Sequence, residues 1–275
     1  MNVFEALFKL IFGSRSSRPT SPPPPPPPAT PPRPPATPPA PPPVSPPATP
    51  PAPPPATPPA PPPATPPAPP PPAGDYLSTL RRQNNDELRR ADFEAVAARL
   101  GCEWEAVAAV AEVESGPLGG FGSDGRPVIL FERHLFSRKT NSQYDASHPS
   151  ISNRSPGGYP RSQADRWAQL TEAYGLDPEA ALQSASYGRF QVLGQNFGNL
   201  GMANAHEYVS KISRSERDQL EAFEGFVRAN GLADELQRKD WAGFASRYNG
   251  PSYAQNQYDV KMAEAYARLK SNPTV

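Results

Sequence analysis

A long run of proline constrains this chain more than any other feature. The sequence holds 43 prolines in 275 residues, and 35 of them precede Ala73. Proline has no backbone N–H and a fixed φ, so a segment built from it can supply neither a helix interior nor a central strand. From about Arg18 to Gly74 the unit Ala-Thr-Pro-Pro-Ala-Pro-Pro-Pro recurs, starting at Ala48, Ala56 and Ala64. With nothing to bury, residues 18–74 are expected to form a disordered proline-rich tether in extended polyproline II. At ~3.1 Å per residue its reach is on the order of 170 Å. The repeat of eight is not a multiple of three, so the Ala-Thr pairs do not line one face. That favours a spacer over a docking ligand for SH3- or WW-like domains. A fold must come from what remains, about 200 residues from Asp75 to Val275, which is enough for one well-buried domain.

Ahead of the tether, Phe4, Leu7, Phe8, Ile11 and Phe12 fall on one helical face, with Gly13 as a stop. A helix this short is marginal alone in water. Residues 1–17 are therefore either a disordered tail or an amphipathic segment that docks weakly on a membrane or a protein groove. Glu5 and Lys9 interrupt the apolar stretch and no basic region precedes it, so it does not read as a signal peptide. Synthesis in the cytoplasm is the expectation. No apolar run approaches the ~18–20 residues of a membrane span.

The 27 basic and 27 acidic residues cancel. Lys9, Arg15, Arg18 and Arg33 lie before the domain against Glu5 alone, so the domain itself is mildly acidic. It lacks the concentrated basic face that nucleic acid requires. Cys102 is the single cysteine, which excludes an internal disulfide and fits a buried small apolar residue. His134, His148 and His206 lack the close spacing of a zinc site.

From Asp75 onward the pattern is mainly α. Helices are expected at Ala91–Leu100, closed by Gly101, and at Trp104–Glu114. Others are expected at Ser162–Tyr174, Pro178–Gln183, Ala205–Ile212, Ser215–Asn230, Ala233–Gln237, Trp241–Tyr248 and Tyr253–Leu269. Ser215 with Asp218 resembles a capping arrangement, with Asp in place of the usual Glu or Gln. Pro127–Phe131 is the one strand-like run. The fold class is therefore mainly α with a small β element.

Ala108-Ala109-Val110-Ala111-Glu112-Val113-Glu114-Ser115-Gly116 carries a carboxylate at the end of an Ala- and Val-rich helix. A negative charge there opposes the macrodipole. Glu114 is either an acid kept protonated by apolar surroundings or a Glu bonded to backbone or arginine. Two later segments bear on that choice. Ala185-Ser186-Tyr187-Gly188-Arg189-Phe190-Gln191-Val192-Leu193-Gly194 joins a glycine turn to an inward Gln. Arg247-Tyr248-Asn249-Gly250-Pro251 ends a helix in an aromatic–amide–glycine turn.

The order Glu-Ser, Gly-x-x-Gln, Tyr-Asn-Gly resembles the lysozyme superfamily, which includes goose-type lysozymes and soluble lytic transglycosylases. The block from Gly119 to His134 sharpens this. With Ser152–Tyr159, the Ser-Tyr-Gly segment, Asp240-Trp241 and Tyr248–Pro251, it resembles the N-acetylmuramidase family of phage endolysins and related bacterial proteins, over roughly Asp92 to Leu269. The resemblance implies a lysozyme-like α+β domain that cleaves the β-1,4 bond between N-acetylmuramic acid and N-acetylglucosamine. Peptidoglycan glycan strands are then the partner, and the wall in the periplasm is the place of action after release or secretion. Tyr187 stands where the family usually has Trp, and the tether stands where a wall-binding module is often attached.

Glycoside cleavage needs an acid to protonate the leaving oxygen, commonly with a second carboxylate. Glu114 is the candidate acid. Glu132, at the end of the strand-like run, is the candidate second carboxylate, with an ion pair to Arg133 or Arg126 as its alternative role. Asp124 sits in an ordinary Ser-Asp-Gly turn, and Glu112 points to another side of its helix. Gln191, Tyr187, Tyr248 and Asn249 are candidates for binding an N-acetylated sugar, with core packing or turn capping as the alternative. For Tyr253 and His134 a structural role is expected. No metal or organic cofactor is implied, since acid–base chemistry on a sugar needs none. The protein is expected to act as a monomer. Lytic transglycosylation and a non-catalytic wall-binding module on a stalk are the competing readings.

Overall fold

The computed structural model describes residues 73–85, 87–116 and 119–272. The expected docking segment 1–17 and the tether, up to residue 72, lie outside the described residues. Helix α1 spans Ala73–Thr79, so it takes in the last two residues assigned to the tether. Among the described residues no helix is long and apolar enough to cross a membrane.

The domain is mainly helical with a small three-stranded antiparallel sheet. Helix α2 (Arg90–Leu100) ends at Gly101, whose N–H returns to the Ala97 and Ala98 carbonyls as the sequence suggests. Helix α3 (Trp104–Ser115) is buried on nearly every side, as an Ala- and Val-rich helix should be. It packs against α2 and against the last helix, α11 (Tyr258–Ser271). One continuous apolar core joins these helices to the rest of the domain.

Side-chain caps fix where several helices begin. Ser162 accepts from Asp165 N–H at the start of α5 (Gln163–Leu176), and Asp177 caps α6 (Pro178–Gln183), with Pro178 in the first turn. Asn204 caps α7 (Ala205–Ile212) and Ser215 caps α8 (Glu216–Ala229). The Ser215 hydroxyl both accepts from Asp218 N–H and donates to the Asp218 carboxylate at 2.7 Å, which explains why Asp serves there. After α9 (Ala233–Arg238), Asp240 caps α10 (Trp241–Tyr248).

The strand-like run is real but narrower than expected. Strand β1 is Ile129–Phe131, and Pro127 forms only an isolated bridge to Phe121. A strand needs a ladder partner, and β1 finds it in the Ser-Tyr-Gly segment. Strand β2 (Ala185–Tyr187) pairs Ile129 with Tyr187 and Phe131 with Ala185, and β3 (Val192–Leu193) pairs with β2. The open edge of β1 is closed by a side chain. Gln163 accepts from Ile129 N–H at 2.9 Å and donates to Ile129 C=O at 3.2 Å, completing the ladder as another strand would. Two further differences have local causes. Helix α4 (Arg133–Lys139) follows β1 directly. The expected helix Tyr253–Leu269 breaks into a 3₁₀ turn, Tyr253–Asn256, and α11, because Gln257 takes a left-handed conformation between them.

Candidate active site

Glu114 lies in the last turn of α3 and is 1% exposed. Burial raises its carboxyl from the ordinary range to about 8, against a smaller lowering from its bond to Asn249. The C-terminal end of a helix also disfavours the ionised form. Asn249 Nδ2 donates to Glu114 Oε1 at 2.8 Å. Oε2 is buried and makes no hydrogen bond among the described residues. Because Oε1 is an acceptor, a neutral carboxyl carries its proton on Oε2, the oxygen with nothing to give it to. Glu112, two residues earlier, is exposed and pairs with Arg268.

The Tyr-Asn-Gly turn holds this arrangement. Asn249 follows the last residue of α10, and its N–H returns to Ala245. The neighbouring Tyr248 stacks on Phe244 with ring centroids 5.1 Å apart and donates its hydroxyl to Phe190 C=O at 2.6 Å. Burial holds the Tyr248 phenol protonated. Phe190 belongs to the β2–β3 turn, so the turn, α10 and the acid are tied together.

Glu132 is fully buried between β1 and α4. The Tyr159 hydroxyl donates to both of its oxygens, at 3.0 and 2.8 Å. His134 Nδ1 lies 2.8 Å from Oε2, an ion-pair distance without hydrogen-bond alignment. Burial raises the Glu132 carboxyl, while His134 and Tyr159 draw it back down. Neither Arg126 nor Arg133 pairs with Glu132 among the described residues. Arg126 pairs with Asp124, and Arg133 donates to Ser155 C=O. Tyr159 was not singled out in sequence; it lies in the Ser152–Tyr159 block but 27 residues from the carboxylate it grips.

The structure brings Asn249 to the acid but turns the other candidate sugar-binding residues inward. Gln191 is 2% exposed, and its amide is engaged by Ser186 Oγ, Val128 C=O and Gly188 C=O. It braces the β2–β3 turn from within. Tyr187 is equally buried, donates to Leu182 C=O and packs edge-on to Tyr208, so it shows no open face for a sugar. Tyr248 is held in its aromatic cluster. Beneath the turn, Gln219 of α8 accepts from Arg189 N–H, and Glu216 accepts from Gly120 N–H and pairs with Arg189. Gly188 has φ of +70°, and a Cβ there would lie 2.3 Å from Gln219 Cδ, so only glycine fits. These contacts fasten the loop after α3 to the sheet.

Comparisons with known proteins place this geometry. The N-acetylmuramidase family profile matches residues 103–270, more than half of the chain. The crystal structure of the Burkholderia AP3 phage endolysin is similar with a TM-score of 0.64 and 39% sequence identity, covering 70% of this chain and 74% of that one. No curated protein sequence matches the chain. Glu114, Glu132 and the Tyr248-Asn249 turn all fall inside the matched region, and the chain belongs to the N-acetylmuramidase family, glycoside hydrolases that act on peptidoglycan.

Proposed function

We propose that the domain cleaves the β-1,4 bond between N-acetylmuramic acid and N-acetylglucosamine, with Glu114 as the general acid. The observation that carries this is the state of Glu114. It is buried, with its carboxyl raised to about 8, fixed through Oε1 by Asn249, and presents an unbonded Oε2. As the bond from C1 to the bridging oxygen breaks, the proton on Oε2 passes to that oxygen and the sugar leaves as an alcohol. Glu132, with Tyr159 and His134 favouring its charged form, is the carboxylate that stabilises the cation or directs water. Asn249 is a positioning residue for the acid, and Gln191 for the turn behind it. Action as a monomer on the periplasmic side of the wall, after release from the cytoplasm, is part of the same proposal. So is the tether, which would let the domain work at a distance from residues 1–17.

A second reading rests on one specific feature. Both Glu132 oxygens already accept from Tyr159, and His134 lies at ion-pair distance from one of them. If they stay so with substrate bound, Glu114 works alone. The muramic acid O6 then bonds to C1, passing its proton to the Glu114 carboxylate left after the leaving oxygen was protonated, and an anhydro product forms, as in lytic transglycosylases. Mass spectrometry of digested peptidoglycan separates the two, because the products differ by one water. Hydrolysis in heavy-oxygen water is expected to label the new reducing end. Unlabelled anhydro products would replace the hydrolytic reading with the second one.

A further inference from the structure

We propose that a basic pocket beside Glu132 binds carboxylate groups of the peptidoglycan strand, and so selects anionic wall over neutral glycan. This rests on the glycosidase reading above and adds a substrate-recognition site to it. The pocket is a cavity of about 410 Å³ lined by His134, Ser137, Arg138, Asn141, Ser142 and Arg154, within the range of small-ligand sites. Two guanidiniums, an imidazole, an amide and two hydroxyls form its wall. That donor set suits a carboxylate, which a guanidinium meets with paired N–H groups.

One of the two guanidiniums has no carboxylate partner among the described residues, and the other is loosely paired. Arg138 stands exposed in the last turn of α4 and makes no ion pair among the described residues. Arg154 has a side chain 82% exposed, with its one carboxylate neighbour, Asp145, at 3.6 Å. Ser152 donates to Asp145 Oδ1 at 2.6 Å while Arg154 faces Oδ2, so a ligand carboxylate would share Arg154 with Asp145. The floor is also strained. Asn141 and Ser142 both adopt positive φ, at 52° and 61°, a conformation that side chains disfavour. Successive residues of this kind persist only where surrounding structure enforces them, and they gather at binding sites.

Position joins the pocket to the chemistry. His134, on one wall, has its Nδ1 2.8 Å from Glu132 Oε2. Arg154, on the other, belongs to the loop that delivers Tyr159 to the same carboxylate. The pocket therefore adjoins the carboxylate that the glycosidase reading assigns to the cleft. Muramic acid carries a lactyl group that is either a free carboxylate or bears a peptide with carboxylates of its own.

The test compares the full-length protein with its R138A/R154A variant on three forms of one purified wall. The first is intact. The second is stripped of stem peptides by an amidase, which leaves lactyl carboxylates. The third is stripped and then amidated at those carboxylates. The KM of the variant relative to the parent protein should rise about tenfold on carboxylate-bearing wall and fall toward one on the amidated wall. A rise on intact wall alone assigns the ligand to the stem peptide, and a rise on stripped wall as well assigns it to the lactyl group. An equal rise on all three, or none, overturns the proposal. Sedimentation of Glu114→Gln protein with the same walls, with and without the arginine substitutions, reads binding without turnover. If the parent protein cleaves none of the three walls while the arginines still govern sedimentation, the glycosidase reading fails and the pocket stands.

Discussion

Glu114→Gln is expected to reduce kcat/KM on peptidoglycan by about 10³-fold or more, at the upper end of what a positioned general acid supplies. The amide keeps the shape and can still accept from Asn249 through its oxygen, but it has no proton to give. The same substitution should change how stability depends on pH. In the folded protein the carboxyl is raised from 4.5 to about 8. The stability linked to it is present in full below the unfolded value and is lost as pH rises toward the folded one. Over that window this residue costs up to about 1.4 kcal/mol per pH unit. Urea unfolding at several pH values should show the slope in the parent protein and its absence in the variant. Activity of the variant within a few-fold of the parent would remove Glu114 from the acid role.

Glu132→Gln is expected to lower kcat by about 10²-fold or more while KM changes only a few-fold. The carboxylate accepts from the Tyr159 hydroxyl and faces His134 Nδ1 at ion-pair distance. An amide replaces one acceptor by a donor and removes the charge that a developing oxocarbenium ion would feel. Tyr159 can reorient its hydroxyl to accept, so folding should survive, as judged by thermal unfolding. A folded variant that lyses walls normally would leave Glu114 as the sole catalytic carboxyl and favour the transglycosylase reading.

The helical frame was legible because its signals are local. Gly101 as a stop, Ser215 as a cap and the apolar run of α3 each act within a few residues, and the structure places them as the pattern implies. Glu114 was legible for the same reason: a carboxyl ending an apolar helix is anomalous on sight. The sheet was not. Strands β2 and β3 have three and two residues, too few to show alternation, and they exist because β1 supplies a ladder. Gln191 and Tyr187 show the other limit. Their side-chain chemistry suits a sugar, but Val128 C=O, Gly188 C=O and Leu182 C=O reach them only through the fold and occupy them first. The hold of Tyr159 on Glu132 likewise depends on a loop path that no periodicity encodes.

The central claim is that burial keeps Glu114 protonated until a substrate arrives. Infrared difference spectroscopy, taking the parent protein against Glu114→Gln across a pH titration, reads that carboxyl directly. A protonated carboxyl band should be present at neutral pH and convert to carboxylate near pH 8. A Glu114 already fully ionised below neutrality would contradict it.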